Sequence, residues 1–488
     1  MLPFDNFNYE NQVKVQFYNK GKVRNLYELE LNNQKYLILQ QSQRCSAFDY
    51  HICDINNKGF LLTEIAAFWF QNQFIKNIVQ NHYISHKYNL MLVKKHRPIK
   101  LEFICRGYIT GSCWRAYQSG KRSICGEDLP DNLVKNQRFT HKFPLITPTT
   151  KGEHDEPITL DEIVSQNYLT RDQVNYIVEV STNLFKYGHD FCLKNNILMA
   201  DTKYEFGFDD NDNIVLIDEI HTPDSSRFWC LESYQKCQEQ NDFTSLVNLD
   251  KDIIRNYLVT QGFPKNTQTI PDVPDTVKTD LENKYDEITL KFLNFNKSPD
   301  DYSQIKSDYL NTKEQFTEFL SANNSSLDQQ CDDENNLKLI KELVYNNFNN
   351  RLLTRKTNLV VVVAGSKSDK SYTDSVLNKL SEKNILGGVL FSSAHKETLK
   401  VVKFIKDVEA NFDNVVWVTM AGMSNALSGV ISANTKFPTI GCPVFKDQTD
   451  MLVNINSTIQ MPSKVPVMTV LSHGNVALAC QKIFNLLN

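Results

Sequence analysis

The stretch Asn358 to Asp369, NLVVVVAGSKSD, constrains the fold of this chain more than any other. An unbroken β-branched run puts apolar side chains on both faces of a strand, so that strand has to be covered on both sides. The run ends in Gly and Ser, and helical spacing follows from about Ser371 to Lys383, which predicts a strand, a small-residue loop and a helix. The same rhythm returns in VLFSSAHK before a helix and in NVVWVTMAGMSN before ALSGVISANT. At least three buried parallel strands should therefore deliver loops to one sheet edge, and residues 357–488 are expected to form an α/β three-layer sandwich with a parallel sheet.

A length of 488 residues leaves room for more than this unit. In the first hundred residues, VRNLYELELNNQKYLILQQ alternates apolar and polar residues on both sides of Asn32 and Asn33, a pair that tolerates a tight hairpin, so an antiparallel sheet is expected. Helical spacing replaces it between Leu160 and Asn195, with Thr170 as the cap and Val174, Ile177, Val178, Leu184 and Phe185 on one face. ILMADTKYEFGFDD and IVLIDEIHTPDSS then flank a turn at Asp210 to Asn213 and gather acidic side chains near neighbouring strand ends. Residues 1–293 read as an α+β unit, and 294–356, polar and Asn-rich, as a linker with local helix over LKLIKELVYNNF. There is no short internal repeat.

Composition narrows the function classes. With 53 Lys+Arg against 57 Asp+Glu, the formal charge of -4 is too small to steer the molecule to nucleic acid or an anionic membrane, and neither is expected as a partner. The 11 cysteines are odd in number and contain no C-x-x-C pair, which fits reduced thiols in the cytosol. No apolar run approaches a membrane span of about 18 residues, and the start does not resemble a signal peptide, so a cytosolic location is expected.

Three groups of residues carry chemistry in the first unit. In GKVR, Gly21 lets backbone amides approach an anion, and Lys22 and Arg24 add charge suited to nucleotide phosphates; a solvated lysine is the plain alternative. In RGYITGSCWRAY, Arg106 and Ser112 offer a forked donor and a hydroxyl to a phosphate monoester, while Arg115 can equally be structural. Asp201, Lys203 and Glu205 alternate along a strand and so share a face, close in sequence to Asp218, Glu219, Asp224 and Arg227. Hard oxygens suit Mg²⁺ and the cations suit phosphate, against the alternative of a surface ion-pair network.

These motifs, with SQRCSAFDY, NKGFLLTEIAAFWF, LITPTTKGEHDE and DKDIIRNYL, occur in the order of the phosphoribosylaminoimidazole-succinocarboxamide synthetase family, which residues Val13 to Leu293 resemble. The resemblance implies a two-lobed ATP-binding fold. It implies that Lys22 and Arg24 contact ATP, that Arg106, Ser112 and Arg227 hold a ribose phosphate, and that Glu205 and Asp218 serve nucleotide and Mg²⁺. Asp201 and Lys203 become catalytic candidates, and Asp49 is expected near the imidazole and metal, with a turn-capping role as its alternative. In the implied reaction a substrate carboxylate takes the γ-phosphoryl group of ATP, and L-aspartate displaces the acyl phosphate; no protein nucleophile is needed. Gln43 departs from the family, which has Asp before Arg44.

In the second unit AGSKSDKS puts Gly365, Ser366, Ser368 and Asp369 at a strand-to-helix junction, an anion site or a plainly capped turn. A lone histidine such as His395 in SSAHK is more often structural than catalytic. With AGMSNALSG, TIGCPVF and STIQMPSKVPVMTV, however, residues Asn358 to Leu487 resemble 5-aminoimidazole ribotide carboxylases, and closer to the class that uses carbon dioxide directly than to the mutase class. The resemblance implies chemistry without biotin. Ser366 and Asp369 would hold the ribotide, His395 would move the proton on the reacting carbon, Lys396 would support anion binding, and Ser424 with Asn425 would bind carbon dioxide or the new carboxylate. Met423 and a short segment after Lys396 depart from animal relatives, and His473 reads as structural. Family precedent implies a homo-octamer, for which VVWVTM and GVISANT are candidate core segments. The combined expectation is a bifunctional purine-synthesis enzyme; the rivals are a mutase in the second unit and a non-catalytic scaffold.

Overall fold

A computed structural model describes residues 6–7, 13–31, 34–48, 50–152, 155–264, 269–322, 334–352, 356–422 and 425–486. The chain divides into two compact units, Gln16–Ile340 and Met1–Val15 with Lys341–Asn488.

The larger unit contains two five-stranded sheets. One is an antiparallel sheet of Gln16–Lys20, Arg24–Leu31, Gln34–Gln41, Leu90–Lys94 and Tyr83–Lys87, in that spatial order. Leu31 faces Gln34 across the expected hairpin, whose tip at Asn32 and Asn33 lies outside the described residues. The other sheet runs Leu145–Thr150, Arg97–Arg106, Ile197–Phe208, Ile214–Ile217, with Ser226–Cys230 paired to the early part of Ile197–Phe208. Helix Arg171–Lys194 covers its apolar face: Thr170 and Gln173 form a capping box, and Val174, Ile177, Leu184 and Phe185 pack into one core with Phe103, Tyr204 and Phe206.

The polar stretch after residue 293 is more ordered than its composition suggests. Pro299–Ala322 is a 24-residue helix, and Glu334–Leu352 is another. Tyr309 and Phe316, two turns apart on one face, join the core around Phe60, Leu62 and Tyr285. Asn336 is also buried, accepting from Gln40 Nε2 at 2.9 Å and donating to the Tyr27 hydroxyl at 2.8 Å. A few well-spaced aromatics suffice to dock a helix whose other faces are polar.

In the second unit five parallel strands stand in the order Leu386–Phe391, Asn358–Ala364, Asn414–Met420, Thr439–Gly441, Met468–Thr469. The β-branched run behaves as its sequence requires. Val360, Val362 and Ala364 enter a core closed by helices Lys370–Ser381 and His473–Asn485, whereas Leu359, Val361 and Val363 enter another closed by Thr398–Asn411 and Ala426–Asn434. One strand comes from far away: Asn6–Phe7 pairs antiparallel with Gly388 and Val389 at the sheet edge.

Candidate active sites

Register builds the first site. Asp201 lies opposite Arg106 on one side and Arg227 on the other, and Glu205 lies opposite Glu102. Period-2 alternation therefore turns Asp201, Lys203, Glu205, Arg106 and Glu102 to one face, while Tyr204 and Phe206 go into the core. At one end Arg227 donates to Asp201 Oδ2 at 2.6 Å and to Asp252 Oδ2 at 2.8 Å. Arg106 Nη1 sits 3.7 Å from the same Asp201 oxygen, and its other nitrogens donate to Thr147 Oγ1 at 2.8 Å and Ser112 Oγ at 3.3 Å. The expected trio of Arg106, Ser112 and Arg227 thus converges around Asp201.

Gly111 makes this convergence possible. It has φ +56°, and a Cβ there would lie 2.6 Å from Arg227 Nη2. Arg115 is nearby; burial and then the charges of Arg227 and Arg255 lower its affinity for a proton.

At the other end Lys203 Nζ donates to Glu102 Oε1 at 2.6 Å and Glu205 Oε1 at 3.2 Å, and Lys151 pairs with Glu205. Burial works against the Lys203 charge, but Glu205, Glu102 and Asp218 outweigh it and hold its pKa well above the ordinary lysine range. Lys203 is a fixed cation and not a proton acceptor. Burial and the nearby Asp218 raise Glu205, with Lys203 and Lys151 opposing. Asp218, at φ +70°, is held below the ordinary range: burial opposes ionisation, and Arg24, Lys151 and Lys203 win. Arg24 bridges Asp218 and Glu219, the latter at 2.7 Å, so this expected nucleotide contact is engaged by carboxylates.

Lys22 is exposed on the turn before strand Arg24–Leu31. Arg44 braces that turn, Nε donating to the Lys22 carbonyl at 3.0 Å and Nη2 to that of Gly21 at 3.1 Å. Gln43 fills its unusual position with a neutral role, Oε1 accepting from the Gly59 amide at 3.2 Å. Asp49 lies outside the described residues. Glu102, Lys151, Thr147 and Asp252 were not singled out from sequence, because only strand register reveals them as neighbours of Lys203, Glu205, Arg106 and Arg227. Lys58 was missed too: it is fully buried, 3.2 Å from Asp224 Oδ1.

A divalent cation fits the acidic end. Mg²⁺ accepts one or two carboxylates and takes its remaining oxygens from phosphates and water. Glu205 and Asp218 would provide that pair, and a cation bound there would offset the Asp218 repulsion that, after burial, raises Glu205. Among the described residues no three His, Cys, Asp or Glu side chains group as a complete metal cage.

The second site lies at the carboxyl edge of the parallel sheet. The order second-first-third reverses at strand Asn358–Ala364, and ligands bind outside the strand ends at such a switch point. Gly365 N donates to Met420 O at 3.0 Å and Ser392 N to Ala364 O at 2.9 Å, so the Gly365, Ser392 and Ala421 loops leave adjacent strands on one edge. Ser366 Oγ accepts from the Ser368 amide at 3.2 Å and caps a 3₁₀ turn, Lys367–Asp369, ahead of helix Lys370–Ser381. Burial raises the Asp369 carboxyl. His395 and Lys396 stand exposed on the turn after strand Leu386–Phe391, which Glu397 ties back through a 2.8 Å bond from Ser392 Oγ. His473 Nδ1 meets Ser375 Oγ at 3.0 Å, a structural bond.

Two expectations need correction here. Asn425 is 4% exposed, and its side chain is spent within the protein, Nδ2 donating to Thr458 at 2.8 Å and Oδ1 accepting from the Ser428 amide at 3.1 Å. It caps helix Ala426–Asn434 and positions the loop instead of presenting itself to a ligand. VVWVTM is the buried central strand, not a surface for other subunits. Met423 and Ser424 lie outside the described residues.

Known proteins match both parts of the chain. A family model described as SAICAR synthetase, the succinocarboxamide enzyme, covers residues 17–270, more than half of the chain. The chain belongs to the SAICAR synthetase family. A second model, AIR carboxylase, covers residues 359–488, so a synthetase unit and a carboxylase unit are joined in one polypeptide. The chloroplastic phosphoribosylaminoimidazole-succinocarboxamide synthase of Vigna aconitifolia is 38% identical over 262 residues, 52% of this chain and 74% of that protein. The Legionella pneumophila (strain Paris) synthase is 38% identical over 272 residues, 54% of this chain and 84% of that protein. Among solved structures, the SAICAR synthase of Saccharomyces cerevisiae, complexed with SAICAR, is 29% identical with a TM-score of 0.49, covering 59% of this chain and 97% of that one. Treponema denticola PurE is 34% identical with a TM-score of 0.26, covering 27% of this chain and 82% of that one. The chain is an enzyme of purine biosynthesis with two catalytic domains.

Proposed function

We propose that the carboxylase unit adds carbon dioxide to 5-aminoimidazole ribotide, and that the synthetase unit uses ATP to condense the resulting carboxylate with L-aspartate. The observation that carries this reading is the convergence of Arg106, Ser112 and Arg227 around Asp201, on the same sheet face as the Lys203–Glu102–Glu205 cluster. A phosphate monoester entering the first group takes over the guanidinium donors now given to Asp201, and the fork geometry of arginine suits it.

The reacting carboxylate then lies toward Lys203, whose permanent charge offsets that developed in phosphoryl transfer. Lys22 reaches the nucleotide phosphates from its braced turn. Glu205 and Asp218 hold Mg²⁺, which supplies charge neutralisation of the triphosphate. Asp201 releases Arg227 to the substrate and orients both guanidiniums. Asp49 belongs to this reading as an imidazole contact.

In the carboxylase unit the electron-rich aminoimidazole carbon attacks carbon dioxide without biotin. Ser366, Asp369 and Lys396 bind the ribotide, His395 removes the proton left on the reacting carbon, and Ser424 meets the new carboxylate in a loop that Asn425 positions. Nothing in either site calls for nucleic acid, and no helix among the described residues is long and apolar enough to cross a membrane. A cytosolic homo-octamer built on the carboxylase unit completes the reading; the exposed Leu452, Val453 and Ile459 on helix Gln448–Ile459 support self-association.

A coupled assay with aminoimidazole ribotide, bicarbonate, ATP, Mg²⁺ and aspartate tests this, with the succinocarboxamide expected as product. Turnover only when the carboxyamino isomer replaces ribotide and bicarbonate would make the second unit a mutase. ATP binding without any turnover would leave a scaffold.

A further inference from the structure

Cys45 and Cys53 face each other across the antiparallel pair Arg44–Ala47 and Tyr50–Asp54. Directly opposed residues in such a pair have Cα atoms about 4.5 or 5.5 Å apart. Both separations fall inside the range of about 4.4–6.8 Å that a disulfide spans. Both thiols are free, Cys45 buried and Cys53 half-buried. Among the described residues no other two cysteines are opposed in a strand ladder. The contact between the two thiols and the ammonium groups of Lys58 and Lys251 draw Cys45 below its usual range, with burial opposing, while the same contact and burial hold Cys53 above its own, so the pair gives up one proton far more readily than two.

We propose that Cys45 and Cys53 form a reversible disulfide that slows the ligase reaction, the oxidant being a low-molecular-weight disulfide such as oxidised glutathione. Cys53, the less buried of the two, gives up its proton and as the thiolate attacks one sulfur of the small disulfide, expelling the other as a thiolate and leaving a mixed disulfide. Cys45 then attacks the Cys53 sulfur and expels the second thiolate. Two protein thiols are oxidised, one small disulfide is reduced to two thiols, and the two protons released by the cysteines go to those leaving groups.

The route to the ligase site is short. Arg44, next to Cys45, is the residue that braces the Lys22 turn, and Gln43 holds the Gly59 amide. Drawing the two sulfurs from contact to a covalent bond re-aims the Cys45 side chain and strains its neighbour Arg44, the brace of the Lys22 turn, without needing the two strands to separate or close; this consequence rests on the assignment of Lys22 to nucleotide phosphates. Disulfides that form in reducing compartments are mostly transient and catalytic or redox-sensing, which fits a reversible device better than a structural bridge.

The full chain is equilibrated in glutathione buffers of increasing oxidised fraction, alkylated and digested. Expected are Cys45–Cys53-linked peptides that dithiothreitol removes, with ligase turnover falling about 10–100-fold, the cost of misplacing a positioning group by about 1 Å, and carboxylation unchanged. Cys53→Ser should keep full ligase activity in reductant and lose the response to oxidant. Failure to find that linkage, or inhibition of Cys53→Ser equal to that of the parent, overturns the proposal. A linkage that leaves ligase turnover unchanged also overturns it. If the linkage forms without inhibition, Lys22→Ala assayed in reductant separates the causes: a lost ligase activity leaves the nucleotide assignment standing and only the switch falls, and a normal rate refutes the assignment itself.

Discussion

Gly111 and Arg227 show how finely the ribotide end of the synthetase site is fitted. With φ +56° and Arg227 at 2.6 Å from any added Cβ, Gly111→Ala forces the guanidinium aside as well as straining the backbone. The expected result is a KM for the carboxylated ribotide raised about tenfold or more with ATP binding unchanged, together with a stability loss of about 1–3 kcal/mol. Steady-state kinetics and thermal unfolding check both, and an unchanged KM would detach Arg227 from the substrate.

Acidity acts on the same cluster. Asp218, Asp224 and Asp252 are held below the ordinary aspartate range; burial opposes each, and Arg24, the Lys251 and Lys58 pair, and Arg227 with Arg255 respectively prevail. Unfolded, these carboxyls take up protons near pH about 4; folded, they resist to lower pH. The unfolded chain therefore binds more protons in that window, so stability present at neutral pH is lost as pH falls through it. The melting temperature of the synthetase unit should drop below pH about 4, with a shallower slope in Asp252→Asn. Arg106 stands out in the sequence beside Gly107, Lys203 and Glu205 by alternation along ADTKYEFG, and Arg227 by the charged cluster DEIHTPDSSRFW. Glu102 and Lys151 belong to the same charge cluster, but they are 49 residues apart in sequence and meet only through strand pairing.

Among whole elements, the helices after residue 293 separate composition from structure. A polar count of 294–356 suggests a tether, yet Phe316 is 0% exposed and stacks on Phe60 at 5.7 Å. Phe316→Ala should cost the synthetase unit about 3–5 kcal/mol, read as a lowered urea midpoint for that unit. A change under about 1 kcal/mol would make the helix a passive connector. The parallel sheet was legible because a strand buried on both faces has no other explanation, whereas helix Pro299–Ala322 declares itself only by two aromatics seven residues apart. The antiparallel strand Asn6–Phe7 was not legible at all, since two residues carry no periodicity.

Across the molecule, the two chemistries reside in separate compact units, so their losses should separate. His395→Ala is expected to abolish carboxylation and leave the ligase step at its parental rate, whereas Asp218→Asn does the reverse; loss of both activities from either change would refute independent sites. The exposed Leu452, Val453 and Ile459 give the carboxylase unit an apolar surface. Val453→Asp should shift sedimentation toward smaller species, and no change would move the contact elsewhere.

The edge strand Asn6–Phe7 has a practical corollary for anyone dissecting the two activities. A carboxylase fragment begun at residue 357 sheds the piece that pairs with Gly388 and Val389, and bare sheet margins template pairing between copies. Such a fragment is expected to precipitate more readily than one to which residues 1–15 are grafted back, and an affinity tag fused at the amino terminus would be felt by the domain encoded last.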